Sequence, residues 1–370
     1  MSKLKTIDIA IFIIPIVFLA VSIAIIYSLV MGTNNESLWS KQAMVGLVGI
    51  VAMVGVCFVD YRQFRGVSAI LYIISILLLI IVEFVGKTVN GAMNWIDLGF
   101  FQLQPSEVAK VFLIIVLASF FSRKIGKISW SDIFTSFLIV ALPLILILLE
   151  PDFGTGLIVI LMYLTMLIMS KPTRAQILTL VLTVVVVLSI GFGAYMKVKP
   201  FDRMLRDYQR HRIAVFLDPS LAPTKEGYNV KQAQITVGSG GMFGRGLGKG
   251  SQSQLRFLPE SHTDFIFSGI AESFGFLGSG FFLFLYCFFL YRLIQIGQSA
   301  RDNFGLLIVV GAVSMFFYQV LISVGMNIGL LPVTGIPLPL MSYGGTSLFV
   351  SLFVIGLVQS IHIHRQRKSF

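Results

Sequence analysis

The chain has 370 residues, of which 56% are apolar and only 12% charged, with a mean hydropathy of +0.90. That apolar content is more than one soluble core takes up, so it excludes an ordinary globular domain and makes lipid the main solvent. The formal net charge of +11 suits contact with anionic membrane lipid, and nothing in the sequence calls for a nucleic-acid partner.

Apolar runs long enough to cross a hydrocarbon layer of about 30 Å as helices recur along the chain. They predict ten spans, at about 9–31, 41–59, 67–85, 105–122, 133–150, 154–170, 175–195, 263–290, 304–328 and 344–362. The first run, from Ile9 to Met31, is too long for a signal-peptide core and has no small-residue cleavage site, so it is expected to stay as the first span. Cys57 and Cys287 lie in separate apolar runs without His or Cys at ligand spacing, which suggests neither a disulfide framework nor a zinc site. The expected fold is an all-α integral membrane protein, a polytopic bundle of about ten transmembrane helices in one domain over 1–370.

Charge sets the orientation. With the N-terminus in the cytoplasm, the connections on that side carry fourteen cations, among them Arg62, Arg65, Arg123, Lys124, Arg292, Arg301 and Arg365. The short connections opposite hold only Lys41 and Lys87, so both termini are expected in the cytoplasm. The segment 196–262 between the seventh and eighth spans becomes a long extracytoplasmic loop. It carries eleven Lys or Arg against five acids, a loop too long for the charge rule to govern, and an anionic pyrophosphate or lipid head group would explain its sign. Met204, Leu205, Ile213, Val215 and Phe216 interleave with those charges, as in a helix lying in the interface. Its glycine run from Gly238 to Gly250 fails the phosphate-loop spacing at Phe243 and Gly250, and reads as a closely packed loop with Arg245, Lys249 and Arg256 available to an anion.

Ionisable residues in an apolar bundle are costly enough to be functional candidates. Glu107 and Lys110 open the fourth span, where Pro105 suits the first helical turn and the (i, i+3) spacing lets the two charges pair. Asp152 stands in the tight outer turn Glu150-Pro-Asp-Phe-Gly-Thr155, as a turn former or a site residue. Asp264 stands where the loop re-enters the membrane. It is a helix cap or a catalytic acid, and Ser261 and Thr263 are expected to supply the capping oxygens that free it. Glu272, two turns further on, reads as a bonding partner within the bundle. Pro332, Pro337 and Pro339, followed by Ser342-Tyr-Gly-Gly-Thr-Ser347, predict a broken segment lining protein or water.

Seven of these motifs, in this order and over essentially the whole chain, resemble the SEDS family (shape, elongation, division and sporulation), and within it the RodA branch. They are Asn90-Gly-Ala-Met-Asn-Trp-Ile-Asp-Leu-Gly99, Gln104-Pro-Ser-Glu-Val-Ala-Lys110, Glu150-Pro-Asp-Phe-Gly-Thr155, Tyr208-Gln-Arg-His-Arg-Ile213, Gly238-Ser-Gly-Gly241, Phe257-Leu-Pro-Glu-Ser-His-Thr-Asp-Phe-Ile-Phe267 and Pro337-Leu-Pro-Leu-Met-Ser-Tyr-Gly-Gly345. The chain departs from the family at Asn94, where an Arg is usual. The resemblance implies a peptidoglycan glycosyltransferase that joins lipid II units on the outer face of the bacterial cytoplasmic membrane during elongation. It implies Asp264 as general base, Glu107 and Lys110 organising the cavity, and substrate contacts from Asp152, Arg210, Arg212, His262, Thr263 and Ser342. It also implies partners: a class B penicillin-binding protein transpeptidase and other membrane proteins of the elongation complex. A divalent cation, magnesium or manganese, could share the pyrophosphate with Lys110, although no metal cage is visible. The rival readings are a lipid II flippase, which should show polar residues deep in the spans and on the inner side, and a non-catalytic scaffold.

Overall fold

The structure is a computed structural model and describes residues 7–31, 36–89, 92–97, 99, 102–124, 126–196, 210, 214–218, 221, 226–255, 257–258 and 260–365. The main helices are α1 (Ile9–Val30), α2 (Leu38–Phe58), the short α3 (Gln63–Gly66), α4 (Ser68–Val85), α5 (Pro105–Ser122), α6 (Trp130–Leu149), α7 (Phe153–Met169) and α8 (Arg174–Tyr195). After them come α9 (Glu226–Ser239), α10 (Ser251–Gln254), α11 (Ile266–Gln298), α12 (Asn303–Asn327) and α13 (Gly345–Ile363). Among the described residues nine helices are long and apolar enough to cross a membrane, and α7, with 17 residues, is a tenth apolar helix. These ten stand where the apolar runs predict them.

Burial orders the bundle. The apolar stretch of α13 is 83% buried, that of α5 72% and that of α12 61%, so these three form the centre, whereas α8 at 6% stands at the periphery. Small residues let α2 approach the central α13: a side chain at Gly356 would come within 2.5 Å of the Met53 carbonyl, and one at Gly49 would meet Leu352. Such contacts are how membrane helices associate when lipid is as apolar as the interface. The outer flanks are apolar and uncovered, as at Ile73, Leu77 and Ile81 on α4 and Phe281, Phe284 and Phe288 on α11. Their spacing of three and four residues marks one lipid-facing stripe on each helix.

Three features differ from the sequence expectation. The connection between α4 and α5 is a small antiparallel sheet, β1 (Lys87–Val89), β2 (Ala92–Asp97) and β3 (Gln102–Leu103), in that order. It docks on the start of α13, where Thr346 Oγ1 donates to the Gln102 carbonyl at 2.7 Å and accepts from Gln104 N at 2.9 Å. The eighth span begins at Ile266 and reaches Gln298, past the expected end, with a break at Gly275. The long loop does not stand apart from the helices: α9 and the glycine run after it pack into the bundle against α11 and α12. The expected interfacial helix lies mostly outside the described residues, which show one helical turn at 214–217 with Val215 buried.

The glycine run closes a break in α11. Gly275 has φ +69°, which interrupts the helix and leaves backbone groups on either side without helical partners. Phe276 N donates to the Gly241 carbonyl at 2.8 Å and Leu277 N to that of Met242 at 3.1 Å, while the carbonyls of Glu272 and Ser273 accept from Arg245 N and Gly246 N. Backbone polar groups at membrane depth must be satisfied within the protein, and the loop does this. Glycine is required for the approach, since a Cβ at Gly240 would lie 2.0 Å from the Ala271 carbonyl oxygen. Glu272, fully buried, accepts from Gln252 N at 2.9 Å and from Ser239 Oγ, so it is the bonding partner the sequence predicts, and its partners are the loop itself.

Candidate active site

The polar residues gather at the end of the bundle that carries the sheet and the glycine run. At the start of α5, Pro105 occupies the first turn after an extended Gln104, and this brings Glu107 and Lys110 onto one face. Lys110 Nζ donates to Glu107 Oε1 at 2.6 Å, with the side chains 1% and 3% exposed. Charges this deeply buried are tolerated only as a pair.

Asp152 is bonded through both carboxylate oxygens. It is the N-cap of α7, where its Oδ1 accepts from Thr155 N at 3.0 Å. Its Oδ2 accepts from Gln104 Nε2 at 3.1 Å and Ser106 Oγ at 3.2 Å, tying the turn to the α5 end beside the Glu107–Lys110 pair. In the same turn Glu150 is 1% exposed and neither of its carboxyl oxygens has a hydrogen-bond partner. Burial, followed by the nearby charges of Asp152 and Glu83, pushes its carboxyl up to about 9, so it is neutral at physiological pH.

Contact continues from this turn to Asp264. A side chain at Gly154 would lie 2.6 Å from the Thr334 carbonyl oxygen, so α7 begins hard against the segment between α12 and α13. One residue further along that segment Gly335, at φ +73°, faces the Asp264 carboxylate, whose Oδ2 lies 3.6 Å from where a Cβ would stand. The positive φ would strain a side chain there, although a Cβ would meet the carboxylate only at ordinary contact distance.

The backbone around Asp264 is clasped from two sides. Asn327, fully buried at the end of α12, donates to the Asp264 carbonyl at 3.0 Å and to that of Ser323 at 2.7 Å, and accepts from Ser268 N and Ser268 Oγ. Ser342 Oγ donates to the Thr263 carbonyl at 2.6 Å and accepts from Leu338 N at 2.8 Å, while Tyr343 N donates to the His262 carbonyl at 2.8 Å. The His262 and Tyr343 rings lie 5.9 Å apart. Burial holds the His262 imidazole below its usual range, partly offset by Glu260. The broken segment is fixed in turn by Gln42 of α2, which donates to the Ser342 carbonyl and to Ser22 Oγ, while Ser22 donates to the Met341 carbonyl.

One expectation fails here. The residue capping α11 is Phe265, without a side-chain bond, and neither Ser261 nor Thr263 caps the helix. Glu260, at φ +54°, turns the chain, and Thr263 Oγ1 donates to Glu260 Oε2 at 2.9 Å instead. The backbone at Asp264 is held by Asn327, and that of its neighbour Thr263 by Ser342. Asn327 and Gln42 carry no charge and sit in apolar runs, and the only signal for them is an amide that the bundle must satisfy.

Of the remaining site residues, Arg210 is described and its Nε and Nη2 are buried without a partner, whereas Arg212 lies outside the described residues. Asn94 is buried on β2, its Oδ1 unpartnered. An open cavity of about 360 Å³ lies behind the broken segment, lined by Lys41, Gln42, Asp97, Gln102 and Tyr343. Among the described residues no three His, Cys, Asp or Glu side chains converge as a metal site.

The family model for FtsW, RodA and SpoVE, described as "Cell cycle protein", matches residues 2–367. The chain is 38% identical over 299 residues to the peptidoglycan glycosyltransferase MrdB of Escherichia coli (strain K12), covering 81% of this chain and 78% of that one. Its fold is similar to a chain in a solved structure described as structural coordination of polymerization and crosslinking by a peptidoglycan synthase complex. The TM-score there is 0.82 at 29% identity, over 97% of this chain and 98% of the other. It is also similar to the rod shape determining protein RodA of Thermus thermophilus, with a TM-score of 0.70 at 27% identity over 98% of each chain.

Proposed function

The chain belongs to the FtsW, RodA and SpoVE family of cell cycle proteins and is a peptidoglycan glycosyltransferase of the membrane, and we propose that it polymerises lipid II with Asp264 as general base. The supporting observation is the convergence of two clasps on residues 262–264, which hold one carboxylate at the membrane end of the long loop. In the proposed step the 4-hydroxyl of the acceptor sugar attacks the anomeric carbon of the donor. Its proton passes to the Asp264 carboxylate, the new glycosidic bond forms, and the bond to undecaprenyl pyrophosphate breaks, with the electron pair leaving on the pyrophosphate.

Asn327 and Ser342 act as positioning residues in this reading, as does the Glu107–Lys110 pair. Asp152 joins the α5 and α7 ends into one wall. Arg210 and Arg212 belong to the basic loop that receives the pyrophosphate, His262 and Thr263 form the floor beside the base, and the cavity behind Tyr343 suits a sugar. A magnesium or manganese ion, if bound with the substrate, would supply positive charge for the leaving pyrophosphate.

The charge asymmetry supports a cytoplasmic-membrane orientation with this end outward, where lipid II would be consumed. The likeness to a synthase complex that couples polymerization to crosslinking supports a class B penicillin-binding protein as partner, alongside other elongation-complex membrane proteins. The likeness to curated peptidoglycan glycosyltransferases supports polymerisation over transport.

The test is polymerisation of purified lipid II in liposomes by wild type and Asp264→Asn. Loss of a general base lowers turnover roughly 100- to 10,000-fold, and the melting temperature should stay near that of wild type. An Asp264→Asn protein that still makes long strands removes Asp264 from the chemistry. One that fails to fold returns it to a structural role.

A further inference from the structure

The end of the bundle opposite the sheet and glycine run contains a second cavity, of about 480 Å³, that the glycosyl transfer does not use. Three helix ends build it: Asp8 and Ile9 where α1 begins, Arg292 and Gln295 near the far end of α11, and His362 and Arg365 where α13 ends. Its acceptors are engaged. The Asp8 carboxylate accepts from Ala10 N at 3.1 Å and Ile11 N at 3.3 Å through one oxygen and pairs with Arg292 through the other. Gln295 Oε1 accepts from Arg292 Nη1 at 2.8 Å.

The donors are in surplus. Arg365 is exposed at the rim and, among the described residues, makes no ion pair. Among the described residues Arg292 Nε is a buried donor without a partner, and His362 Nδ1 is also buried and unpartnered, a donor in one of the two ring tautomers. A cavity whose only carboxylate is already neutralised, and whose open groups are guanidinium and imidazole, selects an anion over a cation.

We propose that this cavity binds a phosphate-bearing anion, supplied in the membrane by the head group of an anionic phospholipid. Arginine forks match phosphate oxygens in geometry as well as charge. Ile9, 69% exposed beside the polar groups, gives the lipid's glycerol and upper acyl chain an apolar shelf. The cation-rich connections belong to this face, which the charge asymmetry assigns to the cytoplasm, where the leaflet is anionic.

Thermal unfolding of the full chain in detergent tests this, with phosphatidylglycerol, phosphatidylcholine or inorganic phosphate added. Phosphatidylglycerol should raise the melting temperature of wild type saturably and phosphatidylcholine should not. The Arg365→Gln and His362→Gln double variant should need at least 10-fold more phosphatidylglycerol for the same shift. Arg301→Gln, an exposed cation on the same face outside the cavity, should respond like wild type. If inorganic phosphate reproduces the shift and the double variant abolishes it, the phosphate site stands and the lipid source is overturned. Equal responses to the two lipids, or a full response from the double variant, overturn the site. Because Arg365 lies at the surface, native mass spectrometry of lipid retained by Arg365→Gln alone decides the matter if the double variant does not fold: retention equal to wild type overturns the proposal and a loss supports it.

Discussion

Glu150 is a carboxyl group held where a carboxylate is unwelcome, with Asp152 two residues away and Glu83 nearby. With its carboxyl pushed up to about 9 in the folded protein, it keeps a proton that the unfolded chain releases in the ordinary carboxyl range. The folded state therefore loses stability as pH rises from that range through about 9, the sign expected when the native state binds the extra proton. Glu150→Gln removes this dependence, and at pH 7 it should stabilise the protein by on the order of 3 kcal/mol. Melting temperatures of the two proteins should converge near pH 4 and separate steadily towards pH 9. The Glu107–Lys110 pair gives a contrasting test. Lys110→Ala alone leaves a buried carboxylate and should cost about 3 to 5 kcal/mol. The Glu107→Gln and Lys110→Met double variant should recover most of that stability, yet polymerise poorly if the pair organises the cavity, as thermal unfolding and strand length together would show. The pair and Asp152 are legible in the sequence because charge in an apolar run is conspicuous. Asn327 and Gln42 are not, because their partners are backbone atoms of distant segments that no local pattern reveals.

At the scale of elements, apolar length suffices to place the ten long helices, since crossing lipid leaves little choice of conformation. The failures fall where tertiary contact decides. The sheet between α4 and α5 is too short for an alternation to show, and docking on Thr346 helps hold it. The length of α11 is hidden because Arg292 resembles a stop, whereas the helix continues to Gln298 with that arginine paired to Asp8. The glycine run is legible as closely packed but not as the partner of a broken helix, because Gly275 lies in an ordinary apolar run. Two neighbouring glycines separate these roles. Gly240→Ala sets a methyl against the Ala271 carbonyl, and should cost about 1 to 3 kcal/mol together with most of the activity. Gly238→Ala meets nothing within 4 Å on α9 and should be neutral or stabilise by up to about 1 kcal/mol. Thermal unfolding and a polymerisation assay on both variants would decide it, and equal behaviour would remove the loop from any structural part in the site.

For the whole molecule, orientation is the property on which both sites depend. In a variant lacking Cys57 and Cys287, a cysteine replacing Phe243, which is 82% exposed, should react with an impermeant maleimide in intact cells. One replacing Arg301 should react only after permeabilisation. The reverse pattern would place the clasped carboxylate in the cytoplasm and exclude polymerisation outside.

The joint at Gly275 also bears on biogenesis. The chain is synthesised from its N-terminus, so the glycine run is complete before α11 emerges. When α11 enters the lipid, Phe276 N and Leu277 N have no acceptors within the helix, and a helix carrying two bare donors is a poor cargo for a bilayer. The carbonyls of Gly241 and Met242 are already made and can receive them. Insertion of α11 and folding of the loop onto it are then a single event, and a ribosome stalled before Leu277 would leave this end of the bundle unassembled, however many earlier helices had already entered the membrane.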